Sequence, residues 1–351
     1  MARNLLTLRT MSLASLRRSV TLSTCAAIML TALGGCNNHP VVGVRYDSNA
    51  VCDESIMVPV VKPRVVLVVD RSGSMSDNPL GSETRWHALH GVISQVVEGK
   101  DANTEFGLAM FPADDAGATL DEGACNAASA LDVAVGLDNA AAIMSALPPA
   151  DATTEGGTPA ASAVDLAADH LRGLDGDDPK IMVFVTDGAA NCAPGSQGLG
   201  AFTYDEGLQE AVAAAHMDGI TTYVVGIQIS TQLDNLSGVV PSEQLDEVAI
   251  LGGAPLEGEN KFYSVEDQAA LGAALDAITS DIGCVLDLGE EVDTTRSARL
   301  EVAGVYTEEV ADCEAEDGWM FDTNGSAIHL CGQACADFQS SGEIELAYVC
   351  E

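Results

Sequence analysis

The sequence predicts a doubly wound α/β domain, a mainly parallel sheet flanked by helices, followed by a small disulfide-rich β domain at the C-terminus. Three observations carry this expectation. Between residues 64 and 282, strand-length runs that are apolar throughout alternate with helix-length stretches, as in βα units. The strand runs lack an alternating polar face, so both faces of the sheet are expected to be covered by helices. After Cys284 the texture changes to short β-like runs broken by Gly, Asp and Asn, with four more cysteines.

Residues 1–35 read as a targeting leader. Arg17 and Arg18 form a basic region ahead of an apolar run over 19–33, too short for a comfortable membrane span. The segment ends in "LGGC", which resembles the lipobox of bacterial lipoproteins. The resemblance implies cleavage before Cys36 and lipidation of that cysteine. Asn37 follows, where an Asp would signal retention in the inner membrane. The expected location is therefore the cell envelope, lipid-anchored, at the outer membrane. Residues 36–61 carry no clear period and read as a tether.

From residue 62 to 283 a single α/β domain is expected. Its strands are "RVVLVVD" (64–70), "EFGLAMF" (105–111), "KIMVFVTD" (180–187), "ITTYVVGI" (220–227) and "KFYS" (261–264), with "LDVAVGL" (131–137) as a short edge strand. Helical stretches fall at 84–98, 138–147, 158–173, 205–218, 242–252 and 266–282. The tail, 284–351, offers "ARLEVAGVYTEEV", "GWMFD", "AIHLC" and "EIELAYVC" as β runs. It is small for a core of its own, and its cysteines are expected to staple it.

Charge excludes one class of function. Of 351 residues, 53 are Asp or Glu and 15 are Lys or Arg. Four of the basic residues lie in the acid-free leader, leaving 11 against 53 and a net charge of −42. Such a surface repels phosphate backbones, so nucleic acid is not an expected partner.

The chemistry concentrates where the first strand ends, in "VVLVVDRSGSMSDN" (65–78). A phosphate loop would need further glycines and a lysine, and a nucleophile elbow would need G-x-S-x-G; neither pattern is present. His87 and His90 lie on a predicted helix and read as surface residues. What D-x-S-x-S supplies is oxygen. Asp70, Ser72 and Ser74 alternate, so an extended loop can aim their side chains the same way, and carboxylate and hydroxyl oxygens suit Mg²⁺, Ca²⁺ or Mn²⁺. Further donors are available in "EGGTPAASAV", with Thr158 at a helix start, and in "VFVTDGAAN", where a buried strand ends in Asp187. In a doubly wound sheet these segments meet beyond the carboxyl ends of the strands.

The ordered set "DRSGSM", "GGTP" and "TDG" resembles the von Willebrand factor A domain and its metal-ion-dependent adhesion site. "ETRWHAL", "DGITTYVVGI" and "LDEVAILGGAP" fit the same family. The resemblance implies that Ser72 and Ser74 contact a divalent cation directly, Thr158 directly or through water, and Asp70 and Asp187 largely through water and hydrogen bonds. Mg²⁺ is the implied cofactor, with Ca²⁺ or Mn²⁺ possible. It implies binding without catalysis: a protein or peptide supplies an Asp or Glu carboxylate to the cation, and no small-molecule substrate is expected. The alternative is a structural or assembly component of a surface complex, in which the metal mainly stabilises the fold.

The resemblance also orders the cysteines. Strands one, two and four are neighbours in that fold, so Cys125 and Cys192 are expected to bridge on the metal-bearing rim. Cys52–Cys284 is expected to clamp the ends of the domain and to resist the sliding of the last helix that accompanies ligand binding in adhesion relatives. The alternative is that Cys284 pairs within the tail. The tail lies outside the resemblance; there Cys313–Cys331 and Cys335–Cys350 are the expected pairs, one of the three pairings that four cysteines allow.

Overall fold

The computed structural model describes residues 51–56, 58 and 62–349, apart from 102–103, 119–122, 177, 195–202, 235–236, 289–290 and 314. The predicted leader, Cys36 and the tether up to residue 50 lie outside the described residues.

The first strand is β1 (Val51–Ile56). The α/β domain then opens with β2 (Arg64–Asp70), the single turn α1 (Gly73–Asp77), the two-residue strands β3 (Pro79–Leu80) and β4 (Glu83–Thr84), and α2 (Arg85–Lys100). It continues through β5 (Glu105–Phe111), β6 (Val133–Gly136), α3 (Ala140–Ala146), α4 (Ala160–Arg172) and β7 (Lys180–Thr186). It ends with α5 (Gly207–Met217), β8 (Ile220–Ile227), α6 (Pro241–Leu251), β9 (Tyr263–Val265) and α7 (Gln268–Ile282).

Six strands form one sheet in the order β6-β5-β2-β7-β8-β9. Only β6 runs antiparallel to its neighbour. Counted within the sheet this is the doubly wound order 3-2-1-4-5-6, whose direction of winding reverses between β2 and β7. The apolar strands explain the two layers of helices. Val65, Leu67 and Val69 of β2 pack with α2 and α7, while Val66 and Val68 pack with α4, α5 and α6. Alanines at 160, 163, 167 and 168 give α4 a narrow buried face against the sheet. Thr84 caps α2, its Oγ1 accepting from the His87 amide at 3.1 Å. The predicted strands and helices of this domain are present, with ends displaced by one or two residues and β9 shifted towards Val265.

The tail comprises β10 (Val285–Asp287), β11 (Ala298–Val302), β12 (Val305–Thr307), β13 (Gly318–Phe321), β14 (Ala327–Cys331), α8 (Gln333–Ser341) and β15 (Ile344–Val349). Its strands form two sheets, β1-β15-β11-β12 and β10-β14-β13. Between them lies a separate core that includes Leu286, Leu300, Trp319, Ile328, Leu330, Phe338 and Leu346. Trp319 and Phe321 meet edge to face, with ring centroids 5.0 Å apart. The helix α8 was not expected in a β tail. Ala334, Cys335 and Phe338 form its inward face, and a left-handed Gly342 ends it.

Three expectations are corrected here. Part of the predicted tether is strand: β1 pairs with β15, so residues just ahead of the α/β domain complete a sheet of the tail. The expected Cys52–Cys284 and Cys335–Cys350 bridges are replaced by Cys284–Cys335. The reason is geometric. The helix α7 runs directly into β10, which pairs with β14, and the Cys284 carbonyl accepts from the Leu330 amide at 2.8 Å. Cys284 is thereby drawn into the tail's core beside α8. Cys313 and Cys331 are bridged; the side chain of Cys52 and all of Cys350 lie outside the described residues.

Candidate metal centre

The parallel register sets the floor of the site. β2 lies between β5 and β7, with Asp70 opposite Phe111 and Val69 opposite Val185. Asp70 and Thr186 therefore stand side by side at the sheet's carboxyl edge, where the winding reverses. Thr186 Oγ1 donates to Asp70 Oδ2 at 2.6 Å, and the Ser72 amide donates to Oδ1 at 2.8 Å. Both carboxylate oxygens of Asp70 are thus engaged, and the side chain is fully buried.

From Asp70 a chain of hydrogen bonds leads through Ser72 and Ser74 to Asp187. Ser72 Oγ lies 3.1 Å from Ser74 Oγ, which donates to Asp187 Oδ1 at 2.7 Å. The second oxygen of Asp187 accepts from Arg85 Nη1 at 2.6 Å. Arg85 also donates from Nε to Gln228 Oε1 at 3.1 Å. Burial, reinforced by the charge of Asp187, pushes the Asp70 carboxyl up to about 7. Burial raises Asp187 as well, against the lowering effect of Arg85 and Ser74.

Thr158 is held through its backbone by Asn191. Its amide donates to Asn191 Oδ1 at 2.8 Å, and the Asn191 amide donates to its carbonyl at 3.3 Å. The loop leading to Thr158 is also tied to the serine loop. Thr154 Oγ1 donates to the Ser72 carbonyl at 2.7 Å, the Thr154 amide to Ser76 Oγ at 2.9 Å, and the Gly73 amide to the Gly156 carbonyl at 3.2 Å. Gly156 has φ +95, and a Cβ there would come within 2.6 Å of Pro112, so this approach requires glycine.

A third loop closes the rim. Cys125, after β5, is bridged to Cys192, after β7. The residues beside these cysteines hold the Thr158 loop: the Ala124 carbonyl accepts from the Gly157 amide at 2.8 Å, and Asn191 carries the paired bonds to Thr158. Arg71 also fastens the loop after β5, donating to the Pro112 carbonyl at 2.8 Å and pairing with Asp114.

Asp70, Ser72, Ser74 and Asp187 are therefore joined in one hydrogen-bonded chain, while Thr158 bonds to Asn191 and its loop is tied to the serine loop through Gly156. Sequence reasoning did not find Arg85, Asn191, Thr154, Thr186 or Gln228. "ETRWHAL" and "TDGAAN" contain Arg85 and Asn191, but their partners lie far away in the chain. The donor set suits a hard cation. It consists of carboxylate and hydroxyl oxygens, and of the two buried carboxylates only Asp187 is paired with the guanidinium of Arg85, while Asp70 bonds to Thr186 and the Ser72 amide. Among the described residues, no three His, Cys, Asp or Glu side chains gather to hold a metal.

A family model for the von Willebrand factor type A domain matches residues 65–277. No curated protein matches the sequence. Among solved structures, the conserved hypothetical protein BatB from Bacteroides thetaiotaomicron is 16% identical with a TM-score of 0.41, covering 61% of this chain and 98% of that one. The pilus adhesin SpaC from Lactobacillus rhamnosus GG is 16% identical with a TM-score of 0.47, covering 86% of this chain and 40% of the adhesin. Proximal thread matrix protein 1 from the mussel byssus, solved with a zinc-occupied MIDAS motif, is 15% identical with a TM-score of 0.38, covering 68% of this chain and 50% of that one.

Proposed function

Because the chain belongs to the von Willebrand factor type A domain family, we propose that it is a non-catalytic binding protein that captures a protein or peptide carboxylate through a divalent cation. The observation that carries the reading is the hydrogen-bonded chain from Asp70 through Ser72 and Ser74 to Asp187. Ser72, Ser74 and Thr158 would hold the cation. Asp70 and Asp187 would act mainly through water, because their oxygens already bond to Thr186, the Ser72 amide, Ser74 and Arg85. The bound cation, Mg²⁺ in this reading, supplies a Lewis-acidic position at which a partner's Asp or Glu can replace water. Nothing in this arrangement requires a general base or a nucleophile.

The test is capture of an envelope extract by purified protein with Mg²⁺, with EDTA, and with the Asp70→Ala variant. Capture lost in the last two arms is expected; equal capture in all three would remove the mechanism. The reading in which the metal mainly stabilises the fold has less support, since the rim is already stitched by Cys125–Cys192, Arg71 and Thr154. Attachment is proposed through lipid on Cys36, on the strength of "LGGC". No helix among the described residues is long and apolar enough to cross a membrane. Cys36→Ser should move the protein from the outer-membrane fraction to the soluble fraction, and unchanged fractionation would count against the anchor.

A further inference from the structure

Arg85 occupies an unfavourable place for a cation. It is the first residue of α2, where the helix dipole opposes positive charge. Its side chain is 13% exposed, and that of Asp187 is 1% exposed. The guanidinium is forked between two loops, with Nη1 on Asp187 Oδ2 at 2.6 Å and Nε on Gln228 Oε1 at 3.1 Å. Gln228 adopts φ +50, a left-handed conformation unusual for a residue with a side chain, and its amide is fixed by the Val265 carbonyl at 2.8 Å. The fold thus holds Gln228 in a strained state, and its side chain steadies Arg85 against Asp187.

We propose that Arg85 sets the balance of this site between cation affinity and anion affinity, by occupying Oδ2 of Asp187 and keeping that carboxylate off the cation. The inference rests on the divalent-cation reading above. With Oδ1 held by Ser74 and Oδ2 by Arg85, Asp187 cannot turn an oxygen to the metal without giving up a charged hydrogen bond. The ionised trio of Asp70, Asp187 and Arg85 carries one net negative charge, so a divalent cation leaves the site positive and receptive to a carboxylate. Without Arg85 the loaded site is neutral, and Asp187 Oδ2 is free to coordinate. Arg85 is therefore a positioning residue that weakens metal binding and strengthens anion capture.

The test uses the full chain with Mn²⁺ as the metal and acetate as the anion. Mn²⁺ affinity is read by electron paramagnetic resonance. Acetate affinity is read from the loss of water-proton relaxation as acetate displaces Mn²⁺-bound water. Arg85→Gln is expected to bind Mn²⁺ on the order of tenfold more tightly and acetate on the order of tenfold more weakly. Arg85→Lys should stay close to wild type in both. A purely structural role predicts the opposite sign, with weaker Mn²⁺ binding as Asp187 loses its anchor. Unchanged or weaker Mn²⁺ binding in Arg85→Gln, with wild type binding normally, overturns the inference alone. A wild type that binds no Mn²⁺ overturns the cation reading and the inference with it. If Arg85→Gln does not fold, Gln228→Ala decides: looser steering of Arg85 should tighten Mn²⁺ binding, and unchanged or weaker binding overturns the inference.

Discussion

The most informative single residue is Asp70, a carboxylate buried at the strand end and pushed up to about 7. A carboxyl whose pKa is higher in the folded chain than in the unfolded chain stabilises the fold when protonated. That contribution is complete below the ordinary carboxylate range and is lost as pH rises towards 7. Metal-free protein should therefore lose thermal stability between about pH 4 and pH 7 relative to Asp70→Asn, which cannot titrate there. Saturating Mg²⁺ should flatten the difference. Melting curves of both proteins in EDTA check this, and parallel pH profiles would contradict it. Thr186→Val removes the hydroxyl that bonds Asp70 Oδ2. The expected destabilisation is about 1–3 kcal/mol at neutral pH in EDTA, measured by denaturant unfolding. At this scale the sequence was partly legible. Asp70, Ser72 and Ser74 are close neighbours at a strand end, so their oxygens announce a site. Arg85 and Thr186 become meaningful only through partners more than 100 positions away, which no local pattern encodes.

The elements of the α/β domain were readable because each strand carries its own signal, an apolar run buried on both faces, and each helix its own stretch between punctuating glycines. The tail was less so. β1 gains a partner only in β15, at the far end of the chain, and α8 is a short helix among strands. The cysteine pairs followed the same division. Cys125 and Cys192 are placed by neighbouring strands of the sheet, whereas Cys284 is placed by the path from α7 into β10, visible only in three dimensions. The rim bridge has a functional consequence. Cys125 and Cys192 sit beside Ala124 and Asn191, two of the residues that hold the Thr158 loop. Replacing both cysteines by serine should lower stability by about 2–4 kcal/mol and weaken Mn²⁺ binding several-fold. Asn191→Ala should weaken Mn²⁺ binding with a much smaller loss of stability. Calorimetry on the two variants separates these effects, and metal affinity indifferent to both would show that Thr158 needs no such support.

Across the whole molecule, the tail fixes the end of the α/β domain. α7 continues into β10, Cys284 is bridged to Cys335 of α8, and Lys100 Nζ donates to Gln339 Oε1 at 2.9 Å. The end of α7 is thus tied to the tail through Cys335 and not to Cys52, and we propose that this tie resists sliding of the helix. Hydrogen exchange of α7 should be the same with and without Mg²⁺ and captured ligand; faster exchange on capture would mean that the helix moves after all. The net charge of −42 beyond the leader also selects partners. A neutral or basic surface bearing one acidic side chain suits it, so capture should hold or strengthen as salt is lowered, and capture weakened at low salt would point to an acidic partner surface. The central claim is that three separated segments build one hard-cation site. It is tested most directly by an anomalous difference map from a crystal of the protein grown with Mn²⁺. The account predicts a single strong peak about 2.2 Å from both Ser72 Oγ and Ser74 Oγ, with Asp70 and Asp187 beyond direct contact. A map with no peak there, or with the ion bound directly by both aspartates, would contradict it.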